Sequence, residues 1–211
     1  MSGTRETAFG EGYDLSIVDR FGTWLSSRRL MKVLGRLDDK ILADIGCGYD
    51  ARFGVGLLPR LERLVAVDVS LNADLLAHPK VTGIVGSLPG ALAELDDNCV
   101  DFVVLNSVLE HLDHPIETLS EMRRIVRPNG GIVFVNVPTW LGKVALETSA
   151  FRLKLSPALE IDDHRRYYSA RQLWQSLRDA GFMPSEMKVR RHKFGLNVYA
   201  VATPGASDSG E

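Results

Sequence analysis

Residues 41–50 read Ile-Leu-Ala-Asp-Ile-Gly-Cys-Gly-Tyr-Asp, and no other stretch restricts the fold so strongly. Ile41 to Asp44 has the character of a short buried strand ending in a carboxylate. Gly46-Cys47-Gly48 breaks that strand, and the chain can re-form as a helix from Ala51. A strand that becomes a helix through glycine leaves backbone N–H groups without partners at the helix start. Glycine permits positive φ there and, lacking Cβ, lets another molecule approach the backbone. The stretch reads as a cradle for a nucleotide-like ligand.

The pattern then repeats. Leu64 to Val67 is apolar and ends in Asp68. Val81 to Val85 runs into Gly86-Ser87-Leu88-Pro89, and Val100 to Leu105 runs into Asn106. Ile132 to Val137 follows the stop signal Pro128-Asn129-Gly130-Gly131. Nearly continuous apolar runs suit parallel strands buried on both faces. Helical segments are expected between them at Ala51 to Arg60, which Pro59 ends, at Ser70 to Leu76 and at Ala91 to Leu95. Pro115 to Val126 is the strongest helix. It has proline first, Glu117 in the opening turn, and Arg123, Arg124 and Arg127 at the other end. Ser169-Ala170-Arg171-Gln172 is a capping box for a helix that ends at Gly181. Two closing strands are expected near 186–192 and 196–203. The alternation predicts an α/β protein: a Rossmann-like, doubly wound, mostly parallel seven-stranded sheet with a C-terminal antiparallel strand pair. Leu15, Val18, Phe21, Leu25, Leu30, Val33, Leu34 and Leu37 fall at helical steps, so residues 1–40 read as an arm and a covering helix. Residues 41–203 form the main domain, and 204–211 a small, polar, flexible tail.

At 211 residues the chain can bury one sizeable core. Its net charge of −2 gives no general argument for nucleic acid or for an acidic surface. The polar start carries no secretory signal, and no apolar run is long enough to span a membrane. Cys47 and Cys99 form no metal-type pair, and reduced thiols suit a cytoplasmic setting.

Two cofactors compete for the cradle. Gly46-x-Gly48-x-x-Ala51, with Asp68 at the expected distance beyond, satisfies a dinucleotide pattern and would suit an NAD-dependent oxidoreductase. Asp44 argues against it, because a carboxylate just before the turn would lie near the pyrophosphate. It better suits a cationic ligand, and S-adenosyl-L-methionine carries a sulfonium, an ammonium and no phosphate.

Several segments act together here: Asp44-Ile45-Gly46-Cys47-Gly48, Val67-Asp68-Val69-Ser70, Asp101-Phe102-Val103-Val104, Val108-Leu109-Glu110-His111-Leu112, Leu119 with Glu121, and Arg124-Ile125-Val126-Arg127-Pro128-Asn129-Gly130-Gly131. The set resembles the class I S-adenosylmethionine-dependent methyltransferases, in their small-molecule, type 11-like branch. Residues 41 to 137 carry the resemblance, which extends more loosely through His164 to Ser169 and Asp179 to Phe182. It implies an enzyme that methylates oxygen or nitrogen on a small metabolite or biosynthetic intermediate and releases S-adenosyl-L-homocysteine. A catalytically inactive module that binds the same cofactor is the alternative. The resemblance also implies roles. Gly46, Cys47 and Gly48 would pass the methionine part, with Asp44 steering its ammonium. Asp68 and Val69 would meet the ribose, and Gly86, Ser87 and Leu88 the adenine. Asn106 would offer its carbonyl near the methionine.

For the acceptor, His111 is the candidate base, since it follows the fourth strand at the edge where ligands bind. Some relatives carry Glu-x-x-Glu-His there and bind a divalent ion. Ser107 replaces the first carboxylate in this chain, so no required metal is expected. Residues 138–168 read as an acceptor lid. His164, Arg165 and Tyr168 within it would touch the acceptor, arginine suiting a carboxylate or phosphate. The alternative for this cluster is a solvated charged loop. Lys188, Arg190, Arg191 and Lys193 read as the solvent face of a strand, and without interleaved aromatics they do not argue for RNA.

Overall fold

The structure, a computed structural model, describes residues 8–10, 27–142 and 166–205. Seven strands form one sheet: β1 (Ile41–Ile45), β2 (Arg63–Asp68), β3 (Val81–Val85), β4 (Phe102–Asn106), β5 (Ile132–Pro138), β6 (Met187–His192) and β7 (Asn197–Ala202). Their order is β3-β2-β1-β4-β5-β7-β6. The first five run parallel, and β7 is antiparallel to both β5 and β6. This is the mostly parallel sheet with an antiparallel pair that the strand pattern predicts.

Alternate side chains of each strand point to opposite faces. One face buries Ala43, Ile45, Val65, Val67, Val103, Leu105, Val133 and Val135. It packs under α4 (Pro115–Ile125), through Leu119, Met122 and Ile125, and under α5 (Ala170–Asp179), through Leu173 and Leu177. The other face buries Leu42, Leu64, Ala66, Phe102, Val104 and Phe134. Helix α1 (27–34) covers it with Leu30 and Leu34, and α3 (Ala73–Leu76) with Leu75. The capping box at α5 is formed: the Ser169 hydroxyl accepts from the Gln172 N–H, and the Gln172 side chain accepts from the Ser169 N–H.

The first crossover departs from expectation. A helix over Ala51 to Arg60 is replaced by α2 (Arg52–Val55), a single turn. The Leu57 N–H then reaches the Gly54 carbonyl, Leu58 reaches Val55, and Arg60 reaches Leu57, so the chain continues in tight three-residue turns. Gly54 and Gly56 lower the helical propensity, and Pro59 stops it. Packing reinforces this, because a Cβ at Gly54 would press into the Leu64 side chain. The turn therefore lies close on β2.

The amino edge of the sheet is fastened by Asp101. Its Oδ2 accepts from the Ile41 N–H (2.9 Å) and from Arg127 Nη1 (2.8 Å), and its Oδ1 from Lys40 Nζ (3.0 Å). Burial opposes its charge, but the Ile41 N–H, Lys40 and Arg127 outweigh it and hold the carboxyl below its ordinary range. One carboxylate thus joins the starts of β1 and β4 to the approach to β5. A depressed carboxyl stabilises the fold above its unfolded pKa, and that contribution is lost as pH falls through the folded value. Asp101→Ala should lower the unfolding free energy by about 2 kcal/mol at pH 7, since it strands a buried N–H. The difference from the native chain should shrink below about pH 4, which urea unfolding across pH will check.

Candidate functional site

The carboxyl ends of β1, β2, β4 and β5 share one edge of the sheet. Strand order reverses between β1 and β4, with β2 and β3 on one side and β4 and β5 on the other. In open α/β sheets such a switch point leaves a crevice in which ligands bind.

Asp44 stands at that point, 4% exposed, with Ala66 of β2 and Val104 of β4 beside it. Its Oδ2 is buried and accepts no hydrogen bond among the described residues. Burial, and then the charge of Asp68, push its carboxyl up to about 7, while the Gly54 N–H pulls the other way. A buried carboxylate with an empty lone pair is costly until a cation or a donor meets it.

The glycine loop follows. The Gly46 N–H donates to the Val67 carbonyl at 2.7 Å. Gly46 (φ +67) and Gly48 (φ +77) lie in the left-handed region. A Cβ at Gly46 would run into the Val108 side chain, and one at Gly48 would lie 2.9 Å from the Phe9 carbonyl oxygen. Any side chain would therefore be both strained and obstructed. The Phe9 carbonyl also accepts the Tyr49 N–H at 2.9 Å, so residues 8–10 lie on the loop. Burial, then Asp44 and Asp68, push the Cys47 thiol far up, which makes it a poor nucleophile.

Asp68 ends β2 on the same face as Asp44. Its Oδ2 accepts the Gly48 N–H and its Oδ1 the Val69 N–H, both at 2.7 Å. A carboxylate offers about four lone-pair positions, so two such bonds do not exhaust it. The Gly86 N–H donates to the Asp68 carbonyl, which brings the end of β3 alongside. Ser87 beyond it is exposed, and Leu88 packs at the rim of the core.

On the other side of the switch point, Asn106 ends β4 level with Asn136 of β5. Asn136 Nδ2 donates to Asn106 Oδ1 at 2.9 Å. Ser107 follows at φ +58, its N–H bonded to the Asn136 carbonyl. His111 ends a short 3-10 turn, Leu109–His111, and is half-buried. Its neighbour Glu110 is fully buried, and burial pushes its carboxyl up to about 8. The Glu110 carbonyl accepts the Arg166 N–H, and the Tyr168 N–H reaches the Pro138 carbonyl, each at 3.3 Å. Tyr168 itself is packed in the core, not open to the crevice. His164 and Arg165 lie outside the described residues.

The structure thus gathers Asp44, Gly46, Cys47, Gly48, Asp68, Val69 and Asn106 around the switch point, with Gly86, Ser87 and Leu88 flanking β2. It adds two residues that the motifs do not announce, Phe9 and Asn136, and sets Val108, the first residue of the Val108–Leu112 motif, against Gly46. Of the two, only Asn136 leaves a trace in the sequence, as a lone amide within an apolar strand.

Residues 18–186 match the family described as "Methyltransferase domain". Malonyl-[acyl-carrier protein] O-methyltransferase of Halalkalibacterium halodurans is 29% identical over 106 residues, 46% of this chain and 39% of that protein. The chain thus spans well under half the length of that curated relative. A SAM-dependent methyltransferase from Archaeoglobus fulgidus superposes with a TM-score of 0.59 at 17% identity, covering 85% of this chain and 93% of its own. The 1,6-didemethyltoxoflavin-N1-methyltransferase of Burkholderia thailandensis, solved with 1,6-didemethyltoxoflavin and S-adenosylhomocysteine, does so at 0.59 and 21%, covering 85% of this chain and 76% of its own. At these identities the two structures share the fold.

Raising a carboxyl pKa makes the folded state lose stability as pH climbs from the unfolded value, about 4, to the folded one. Asp44→Asn should therefore be more stable than the native chain at pH 8, on the order of 2 kcal/mol, and equal to it near pH 4. Paired urea titrations without ligand will test this.

Proposed function

We propose that this chain, which belongs to the methyltransferase-domain family, transfers the methyl group of S-adenosyl-L-methionine to an oxygen or nitrogen of a small metabolite or biosynthetic intermediate. The product of the cofactor would be S-adenosyl-L-homocysteine. Asp44 carries the reading. A buried, unpartnered carboxylate oxygen at the switch point suits an ammonium and would repel a pyrophosphate. The residues around it fit the same cofactor. Gly46 and Gly48 form a cradle that any Cβ would close. Asp68 holds the loop and presents its carboxylate toward the place of the ribose hydroxyls, with Val69 beside it. Gly86, Ser87 and Leu88 lie where the adenine would follow.

When bound, the sulfonium supplies a methyl group that is already activated. The protein's share is alignment and the exclusion of water. Val108 and Phe9 wall the glycine loop. The Asn136–Asn106 bond fixes the end of β4, so that the Asn106 carbonyl keeps a set place beside the methionine. His111 would take a proton from the acceptor as the new bond forms. Arg166 and Tyr168 tie the return of the 138–168 segment to the Glu110 turn and to β5. His164 and Arg165 would touch the acceptor. One relative's name specifies an O-methyltransferase and the other's an N1-methyltransferase, so the proposal spans both atoms. Cys47 and Cys99 are free, which suits a reducing cytoplasm.

Two measurements test the reading. Calorimetry should show binding of S-adenosylmethionine and S-adenosylhomocysteine and none of NAD, and Asp68→Ala should weaken both sulfur ligands by roughly tenfold or more. No binding of either sulfur ligand to the native chain would defeat the proposal. Turnover should also survive EDTA, because Ser107 stands where a hard cation would want a carboxylate.

A further inference from the structure

The carboxyl edge of the sheet ends, beyond β5, in two loops bound to one another. Thr139, just past β5, donates its hydroxyl to the Gly195 carbonyl at 2.7 Å, and its N–H to the Leu196 carbonyl at 2.9 Å. A Cβ at Gly142 would strike that same Leu196 carbonyl, and Gly195 lies against Leu141. The 139–142 segment, where a helix begins at Trp140, and the tip of the β6–β7 hairpin therefore form one body. That body displays three large apolar side chains to solvent: Trp140 (68% exposed), Leu141 (52%) and Phe194 (101%).

The exposure of Phe194 is built in. Lys193 (φ +50) and Phe194 (φ +57) are consecutive non-glycine residues in the left-handed region. A bulky residue takes that conformation only when its surroundings impose it. In this conformation the Phe194 ring stands wholly in solvent.

Along β6 and the hairpin tip the charge has one sign. Residues 187–197 hold Lys188, Arg190, Arg191 and Lys193 and no acid, in a chain whose net charge is −2. Lys188, Arg190 and Arg191 are exposed. Arg190 and Arg191 alternate to opposite faces of β6, so cations flank the edge on both sides. Arg190 pairs across the strands with Tyr199, and Arg29 of α1 sits 5.6 Å over that tyrosine ring, which adds a further cation on the Arg190 face. Burial lowers the Lys193 ammonium to about 8, so it still carries its charge at neutral pH. Lysine and arginine on an edge strand also deter pairing with other sheets. That role does not call for an exposed tryptophan, leucine and phenylalanine at the strand's end.

We propose that the Trp140–Leu141–Phe194 ridge, with the basic β6 edge beside it, docks the protein onto an anionic lipid surface. Tryptophan and phenylalanine seat at the boundary between headgroups and acyl chains, and lysine and arginine are drawn to anionic headgroups. A protruding ridge suits insertion into a lipid surface, where a protein partner would want a pocket around its anchors. The attachment is peripheral: among the described residues no helix is long and apolar enough to cross a membrane. Docked this way, the edge that holds the switch-point crevice faces the lipid, and an acceptor carried on a lipid would reach it without leaving the membrane. The lipid contact stands apart from the methyl-transfer reading, because its assay needs no cofactor.

Sedimentation of the full chain with vesicles tests it. The protein should pellet with phosphatidylcholine–phosphatidylglycerol vesicles, pellet far less with phosphatidylcholine alone, and be released by salt. Trp140→Ser with Phe194→Ser should weaken the partitioning about tenfold, and Arg190→Glu with Arg191→Glu at least as much. All four positions are exposed, so both double variants should retain native circular dichroism. Failure to pellet with the anionic vesicles would overturn the proposal, as would partitioning that ignores lipid charge or is unchanged in folded double variants. So would a concentration-dependent dimer that the Trp140/Phe194 change abolishes, since a second copy would then cover the ridge.

Discussion

The buried carboxylate of Asp44 is the constraint that the rest of the carboxyl edge answers to. It lies between β2 and β4, under a glycine loop, with Asp68 close enough to raise its pKa further. Nothing in the described structure neutralises it fully; the Gly54 N–H helps, and one oxygen remains without a partner. Such a group lowers the stability of the empty protein. The arrangement becomes favourable only with a cation in place, so the cost of folding around Asp44 is the source of selectivity for a ligand that brings one. Asp68 differs from it in its partners: the Gly48 and Val69 N–H groups meet both of its oxygens, where Asp44 Oδ2 meets none among the described residues.

The opposite edge of the same sheet shows what a satisfied carboxylate does. Asp101 is also buried, but it receives one backbone N–H and two cationic side chains and falls below the usual range. It holds three segments together, with three of its roughly four acceptor positions taken. One sheet thus carries a well-partnered carboxylate at its amino edge and a deprived one at its carboxyl edge. The first supplies rigidity, and the second uses it: Asp44 stays in place because β1 is fastened at the other end.

The strands were legible because parallel strands buried on both faces must be apolar throughout, and runs such as Leu64 to Val67 admit little else. The α5 cap was legible because Ser169 and Gln172 act within one turn. Asp44, Gly46, Gly48 and Asp68 could be singled out because their spacing encodes a turn and the strand beside it. Long-range contacts leave no such mark. Nothing in the sequence says that Phe9 reaches Tyr49, that Val108 roofs Gly46, or that Asn106 and Asn136 fall in register; each depends on how whole elements stack. The length of α2 was misread for a related reason. Gly54 looks like a tolerable helix residue until Leu64 is placed against it. The acceptor side was least legible, because it is built from loops whose backbone no local pattern dictates.

Backbone strain follows the same division between the two edges. Among the described residues, seven non-glycine residues have positive φ. Asp39, Asn98 and Asn129 precede β1, β4 and β5, at the amino edge. Asparagine and aspartate accept this conformation readily, so those turns cost little. Ala51, Ser107, Lys193 and Phe194 lie at the carboxyl edge, and none of them suits it. Side chains that resist the left-handed region stand at the end of β1's loop, at the end of β4 and at the hairpin tip. A turn chosen only for stability would have placed glycine or asparagine there. At Ser107 the strain sets the direction in which the Leu109–His111 turn leaves β4. At Phe194 it holds a ring out in water. At the amino edge the chain turns at residues that accept the conformation; at the carboxyl edge the Thr139 bonds hold the hairpin tip and the Asn136 bonds hold the end of β4.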